Sequence, residues 1–325
     1  MGKVDTVTKA YMRKNNIFAD AFNYLIYDGK PVVNPEQLRE LDTTEIALPF
    51  GPQENGQSND LVQKYRDILK SAVVMQEDEA AYILLGIENQ TDIHYAMPVR
   101  NMIYDALQYG KQVADTAANH RKSDKSFRKR TSEEYLSGFY KEDVLKPVVT
   151  LVIHFGADEW DAPLSLHEMM GTQNEKLMHY VQDYQIHLID PAKLTEEDLK
   201  KFTSSLREVI EYIKYSKDKE KLSRILKDNS RMLIDREAAL VIKTITNTAI
   251  EISEKEEKID MCKAIDDMLS EREAKGEIRE IEIGEFRMLV KQVKKGRLTI
   301  EEAAEDAAMS VEEFRNVTDD MLKEG

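Results

Sequence analysis

Hydrophobic positions along this 325-residue chain change their period twice. From residue 4 to about 28, Tyr11, Ile17, Phe18, Phe22, Leu25 and Ile26 recur at close to the helical repeat and predict one helix. Gly29, Pro31 and Pro35 end it, and "NPEQLREL" reads as a short capped helix. "TEIALPF" predicts a first strand and "GPQENGQSND", residues 51–60, a polar loop. Two apolar runs follow at about 66–75 and 80–89, joined by the acidic "MQEDE", and predict a hairpin. A helix over about 92–118 comes next. Beyond a basic loop, "KPVVTLVIHFG" and "YQIHLID" predict two more strands.

From Leu194 the pattern turns helical. "LTEEDLKKFTSSLREVIEYIKYSKD" and "REAALVIKTITNTAIEIS" carry Glu/Lys-rich faces and no strand signal. These changes divide the chain into an α/β part at 1–190, a helical region at 191–275 and a helical tail at 276–325. The tail, "KKGRLTIEEAAEDAAMSVEEFRNVTDDML", has helix-turn-helix wording. Its second helix sets Glu312, Glu313, Asp319 and Asp320 against Arg315, the wrong sign for a DNA groove, so an interaction or packing module is expected.

The hairpin raises a chemical question. If Glu77-Asp78 is a two-residue turn, Gln76 pairs with Glu79 and, counted along the ladder, Asp67 lies opposite Glu88. Directly opposed Cβ atoms are roughly 4.5 to 5.5 Å apart. Strand alternation then puts Asp67, Glu88 and Gln90 on one face. Two carboxylates that close repel unless neutralised. A divalent cation with oxygen ligands is one solution. Capping the strand ends in water, or pairing with Arg66 or Arg100, is the other.

Composition narrows the partners. With 42% apolar and 33% charged residues the chain is expected to fold. No apolar run nears the roughly 18 residues of a membrane helix, and "MGKVDTVTKAYMRKNN" has no apolar signal core. A cytoplasmic protein with no membrane partner is expected. Cys262, the single cysteine, excludes an internal disulfide framework and a thiolate zinc cluster. The net charge of −15 argues against a general nucleic-acid coat, because binding a polyanion needs concentrated positive charge. One stretch concentrates it: "NHRKSDKSFRKR", residues 119–130, sets Arg121, Lys122, Lys125, Arg128, Lys129 and Arg130 against Asp124. It reads either as a solvated loop or as a polyanion contact. His167-Glu168 lacks the second histidine of a zinc-protease motif, and no P-loop, dinucleotide fingerprint or Gly-x-Ser-x-Gly elbow is present.

Five landmarks in order carry a resemblance: "DAFNYLIY" with Asp20; Asp67 before the hairpin; Glu88-Asn89-Gln90; Arg100-x-x-x-Tyr104 within "TDIHYAMPVRNMIYDALQYGKQV"; and "GFYKEDVLKPVVTLVIHFG" followed by "WDAPLSLHEMM". Over roughly residues 15 to 190 the chain resembles the PD-(D/E)xK nuclease superfamily, and within it the recombination-promoting nuclease or putative transposase family. That resemblance implies a restriction-endonuclease-like core, αβββαβ with a mixed sheet flanked by helices, followed by an all-helical C-terminal region. It implies a metal-dependent DNA endonuclease in which Asp67 and Glu88 bind Mg2+ or Mn2+, with the Asn89 carbonyl as a further ligand. Gln90 would orient the attacking water, and Asp20 would contact the metal or its water. Arg100 and Tyr104 would support the site. A neutral amide at Gln90 can hold a water but cannot stabilise developing charge as an ammonium does. The alternative is therefore a catalytically weak relative acting as a DNA- or protein-binding module. DNA is the expected partner, through the basic loop. A homodimer would bring two sites to two strands.

Overall fold

The computed structural model describes residues 3–41, 44–47, 62–65, 67–76, 79–123, 131–171, 174–227 and 229–323. The first helical stretch is two helices, α1 (Lys3–Met12) and α2 (Asn15–Tyr27). The single helix expected there breaks at Lys14, whose backbone is extended (φ −62°, ψ 129°). A buried ammonium explains the break. Lys70 donates to the Arg13 carbonyl and to Asn15 Oδ1, both at 2.5 Å, rewarding a turn that local propensity does not encode. After α2, Gly29 adopts φ +82°, and a Cβ there would meet the Lys201 carbonyl oxygen at 2.7 Å. Asn23 then closes the loop, its Oδ1 accepting from the Val32 and Val33 amides. The short helix expected in "NPEQLREL" is a 3-10 turn, Pro35–Gln37, capped by Asn34.

Short strands β1 (Arg39–Glu40), β2 (Thr44–Ala47) and β3 (Val62–Tyr65) lead to the long hairpin of β4 (Ile68–Gln76) and β5 (Glu79–Gln90). Helix α3 (Met97–Ser123), α4 (Ser132–Ser137), β6 (Val148–His154), α5 (Glu175–Met178) and β7 (His187–Ile189) follow. Then come α6 (Glu196–Lys200), α7 (Leu206–Tyr215), α8 (Lys219–Leu226), β8 (Leu233–Asp235), α9 (Arg236–Thr246) and β9 (Lys258–Asp260). The chain continues with α10 (Met261–Lys294), α11 (Ile300–Asp306) and α12 (Val311–Lys323).

The architecture is mixed α/β around a five-stranded sheet of order β1-β4-β5-β6-β7. β1, β4 and β5 pair antiparallel, whereas β6 and β7 add parallel to β5. The parallel β5–β6 pair requires a crossover, and α3 lies within it. The hairpin has the register read from the sequence, from Gln76↔Glu79 to Ile68↔Ile87. Alternation along β4 separates two faces. Leu69 packs with Leu84, Val148 and Tyr109 of α3. Lys70 points the other way, to the α1–α2 turn. The sheet is thus covered by α3 on one face and by α1 and α2 on the other.

Two compact units divide the chain after Cys262, and the change of pattern near residue 190 lies inside the first. There α1 packs on α9, and α9 on α7, burying Leu206, Val209, Ile210, Val241 and Ile242. Tyr11 Oη lies 3.0 Å from Ser205 Oγ. The region after 190 is not all-helical. β8 and β9 pair antiparallel with Ile234 opposite Ile259, both buried, a ribbon of three-residue strands that pattern reading passes over. The second unit has its own small core of Leu289, Val290, Ala303, Ala304 and Phe314. Thr299 and Glu302 form a capping box on α11, and Ser310 with Glu313 caps α12, giving the helix, turn and helix expected. Among the described residues no helix is long and apolar enough to cross a membrane.

Candidate active site

The backbone ladder between β4 and β5 stops at Ile68↔Ile87, and side chains take over where it ends. The Asn89 amide donates to Asp67 Oδ2 at 2.8 Å, and the Asp67 amide donates to Glu88 Oε1 at 3.3 Å. Each carboxylate thus satisfies a main-chain donor at the open end of the hairpin. Asp67 is 8% exposed and Glu88 fully buried, so both charges sit where water screens them little.

Each acid has a cation from a different helix. From α1, Lys9 Nζ lies 2.8 Å from Asp67 Oδ1. From α3, Arg100 Nη2 lies 2.9 Å from Glu88 Oε2. Burial works against the charged form of Lys9, but hydrogen bonds and charge from Asp67 and Asp5 outweigh it and raise its pKa. Arg100 behaves alike. Burial opposes its charge, the Glu88 carboxylate outweighs that, and Tyr104 and Asp67 add to the upward shift. The Arg100 guanidinium also lies 5.6 Å from the centre of the buried Tyr104 ring. Arg100 and Tyr104 are thus brought together: one helical turn separates them, and the ring backs the guanidinium.

The other expected residues divide. Gln90 ends β5, half-buried, on the face of Glu88 by alternation. Its carbonyl accepts from the Phe155 amide at 2.7 Å and lies 3.3 Å from His154 Nδ1, fixing the strand end on β6. Asn89 is buried, and its side-chain amide has no hydrogen-bond partner among the described residues. Asp20 is committed elsewhere. Its carboxylate accepts from the amide and hydroxyl of Thr203 (3.0 to 3.1 Å) and of Ser204 (2.9 and 2.6 Å), tying α2 to the start of α7. Arg121 and Lys122 are exposed, but they continue α3 instead of opening a loop at 119. Lys125, Arg128, Lys129 and Arg130 lie outside the described residues.

Lys9 escaped the sequence reading. Its spacing from Asp5 reads as an ordinary surface pair on a helix, and Lys9 does sit 3.2 Å from Asp5. Nothing local ties it to an acid 58 positions on.

The donor set can be tested against a divalent ion. Two adjacent buried carboxylates supply hard oxygens, and Mg2+ is commonly held by one or two carboxylates with water and phosphate completing its shell. Among the described residues no group of three or more His, Cys, Asp or Glu side chains gathers to hold an ion alone. Lys9 and Arg100 already balance both acids. The site fits an ion that arrives with a phosphate and displaces those cations; it does not fit a permanently caged one.

Residues 57–239, more than half of the chain, match the model of the family described as putative transposase, YhgA-like. Neither a curated protein nor a solved structure matches the chain.

Proposed function

We propose that this chain, which belongs to the YhgA-like putative transposase family, is a metal-dependent DNA endonuclease whose site is Asp67, Glu88 and Gln90 at the open end of the β4–β5 hairpin. The observation that carries the reading is the burial of two carboxylates side by side, reached by a cation from each helical layer. The element order also supports it. Helices, an antiparallel hairpin, a crossover helix and parallel strands are the parts of a restriction-endonuclease-like core.

Hydrolysis joins a water oxygen to phosphorus and breaks one P–O ester bond, with a water proton ending on the departing oxygen. A Mg2+ or Mn2+ ion held by Asp67 and Glu88, with the Asn89 carbonyl as a further oxygen donor, would polarise the phosphoryl group and make its bound water more acidic. The chain's own residues do the rest. Gln90 orients water by hydrogen bonds from its amide. Arg100, backed by Tyr104, turns from Glu88 to the incoming phosphate, where a guanidinium fork suits two oxygens. Arg121 and Lys122, at the exposed end of α3, together with Lys125, Arg128, Lys129 and Arg130, hold the flanking phosphates.

A plasmid-nicking assay in Mg2+ and Mn2+ tests this, with Asp67→Asn and Glu88→Gln as variants. Each is expected to lose on the order of 100-fold or more in rate. Cutting that survives both substitutions refutes the site. One observation favours a second reading. All four carboxylate oxygens are engaged by protein groups, as in a purely structural clasp. A DNA- or protein-binding module would then bind without cutting under either metal.

A further inference from the structure

Among the described residues, Lys9 is the one cation at this site that comes from outside the matched residues 57–239. It rides on α1, which is anchored independently. Tyr11 reaches Ser205 and α1 packs on α9, whereas Lys14, beyond the end of α1, pairs with the half-exposed Glu237 at 2.8 Å. Its ammonium therefore meets Asp67 on a fixed helix, through a flexible four-carbon stem. The side chain is 19% exposed, so it can move outward toward a ligand at the hairpin's open end.

Charge accounting gives this ammonium a task. Asp67, Glu88, Lys9 and Arg100 sum to zero, with Asp5, also 3.2 Å from Lys9, left out because its carboxylate is partly exposed and screened by water. Adding a divalent cation and one phosphodiester monoanion leaves one net positive charge. Once the attacking water releases its proton to solvent, negative charge accumulates on the phosphoryl oxygens and the sum returns toward zero, until a proton from solvent completes the departing oxygen. Without Lys9 the same assembly starts neutral and becomes negative as the reaction proceeds. A buried site stabilises the balanced case far better. Gln90, being neutral, cannot make up the difference.

We propose that Lys9 is a substrate-contacting residue of this site. It is the counter-ion of Asp67 in the free protein, and it passes to a non-bridging phosphate oxygen when the metal and DNA bind. The inference rests on the endonuclease reading and assigns Lys9 no proton transfer. It has two opposite consequences, because Lys9 competes with the metal for Asp67 but assists turnover. Lys9→Met keeps the aliphatic stem and removes the charge.

The experiment titrates Mn2+ by electron paramagnetic resonance and follows plasmid nicking in parallel. It compares wild type with Lys9→Met, Lys9→Arg, Lys14→Met and Asp67→Asn, each checked by circular dichroism. Lys9→Met is expected to bind Mn2+ several-fold more tightly yet nick on the order of 100-fold more slowly. Lys9→Arg should recover part of the rate, and Lys14→Met should match wild type in both measurements. Wild-type nicking by Lys9→Met overturns the proposal, as does slower nicking with unchanged or weaker Mn2+ binding, which marks a purely structural lysine. Nicking that persists in Asp67→Asn refutes the endonuclease site itself. Loss in Asp67→Asn with full activity in Lys9→Met refutes Lys9 alone.

Discussion

Removing the guanidinium opposite Glu88 tests whether the two acids are held as charges. Glu88 is fully buried, and Arg100 Nη2 stands 2.9 Å from its Oε2 with the Arg100 side chain 29% exposed. At that separation the attraction is about 6 kcal/mol for an effective dielectric of roughly 20. Desolvation offsets much of it in the intact pair, so the pair adds little net stability. Deleting one partner removes the compensation while the other charge stays buried. Arg100→Met is therefore expected to cost about 3–5 kcal/mol. Met in place of both residues should recover most of that loss, because the buried charge is gone too, giving a coupling of about 2 kcal/mol or more in a double-mutant cycle. The chain's single tryptophan, Trp160, is buried in the first unit, so its fluorescence during urea unfolding reads that unit directly. A cost under about 1 kcal/mol for Arg100→Met, or strictly additive effects, would refute the claim of a buried charged Glu88.

Two further outcomes follow from groups away from the hairpin. Asp20→Asn removes the charge and replaces one of the two acceptor oxygens with a donor that cannot serve Thr203 or Ser204, and should destabilise the first unit by about 2–3 kcal/mol. Nicking per folded molecule should be retained; a turnover defect with unchanged stability would return Asp20 to the chemistry. Asp198 is pulled down to about 2 by the Thr195 hydroxyl, the Thr195 amide and Lys201 in its capping box. Its folded pKa lies below the unfolded value, so its stabilisation is complete above roughly pH 4 and fades as pH falls toward 2. Asp198→Asn should cost about 1 kcal/mol at pH 7, with wild type and variant converging across that acid window in urea titrations.

The hairpin was legible from its local pattern. Two apolar runs flank an acidic stretch, and taking Glu77-Asp78 as its two-residue turn sets Asp67 beside Glu88, the register observed. The Arg100–Tyr104 contact was equally readable, since helical spacing alone brings the two together. What stayed hidden depends on partners far along the chain. The break between α1 and α2 is stabilised by Lys70, from a strand more than fifty residues later. Asp20 reads as a free acid on a helix until Thr203 and Ser204 arrive 183 and 184 positions on. At residues 119–123, lysine and arginine are good helix formers with no breaker among them, so charge density was mistaken for a loop. Strands of three residues, as in β8 and β9, carry too little periodicity to register at all.

These misses share a cause that bears on function. The matched residues 57–239 hold Asp67, Glu88, Gln90 and Arg100, but not α1. Yet α1 supplies the cation for Asp67, and its own position is set by Ser205 and by its packing on α9. The helices after residue 191 therefore act on the hairpin indirectly, by holding the helix that neutralises one of its acids. An acid pair of this kind is only as stable as its counter-ions are well placed, because an unpaired buried carboxylate takes up a proton or draws in water. On this argument a fragment beginning at residue 57 would keep both acids of the proposed site. It would lose the charge balance that lets them share the end of one hairpin.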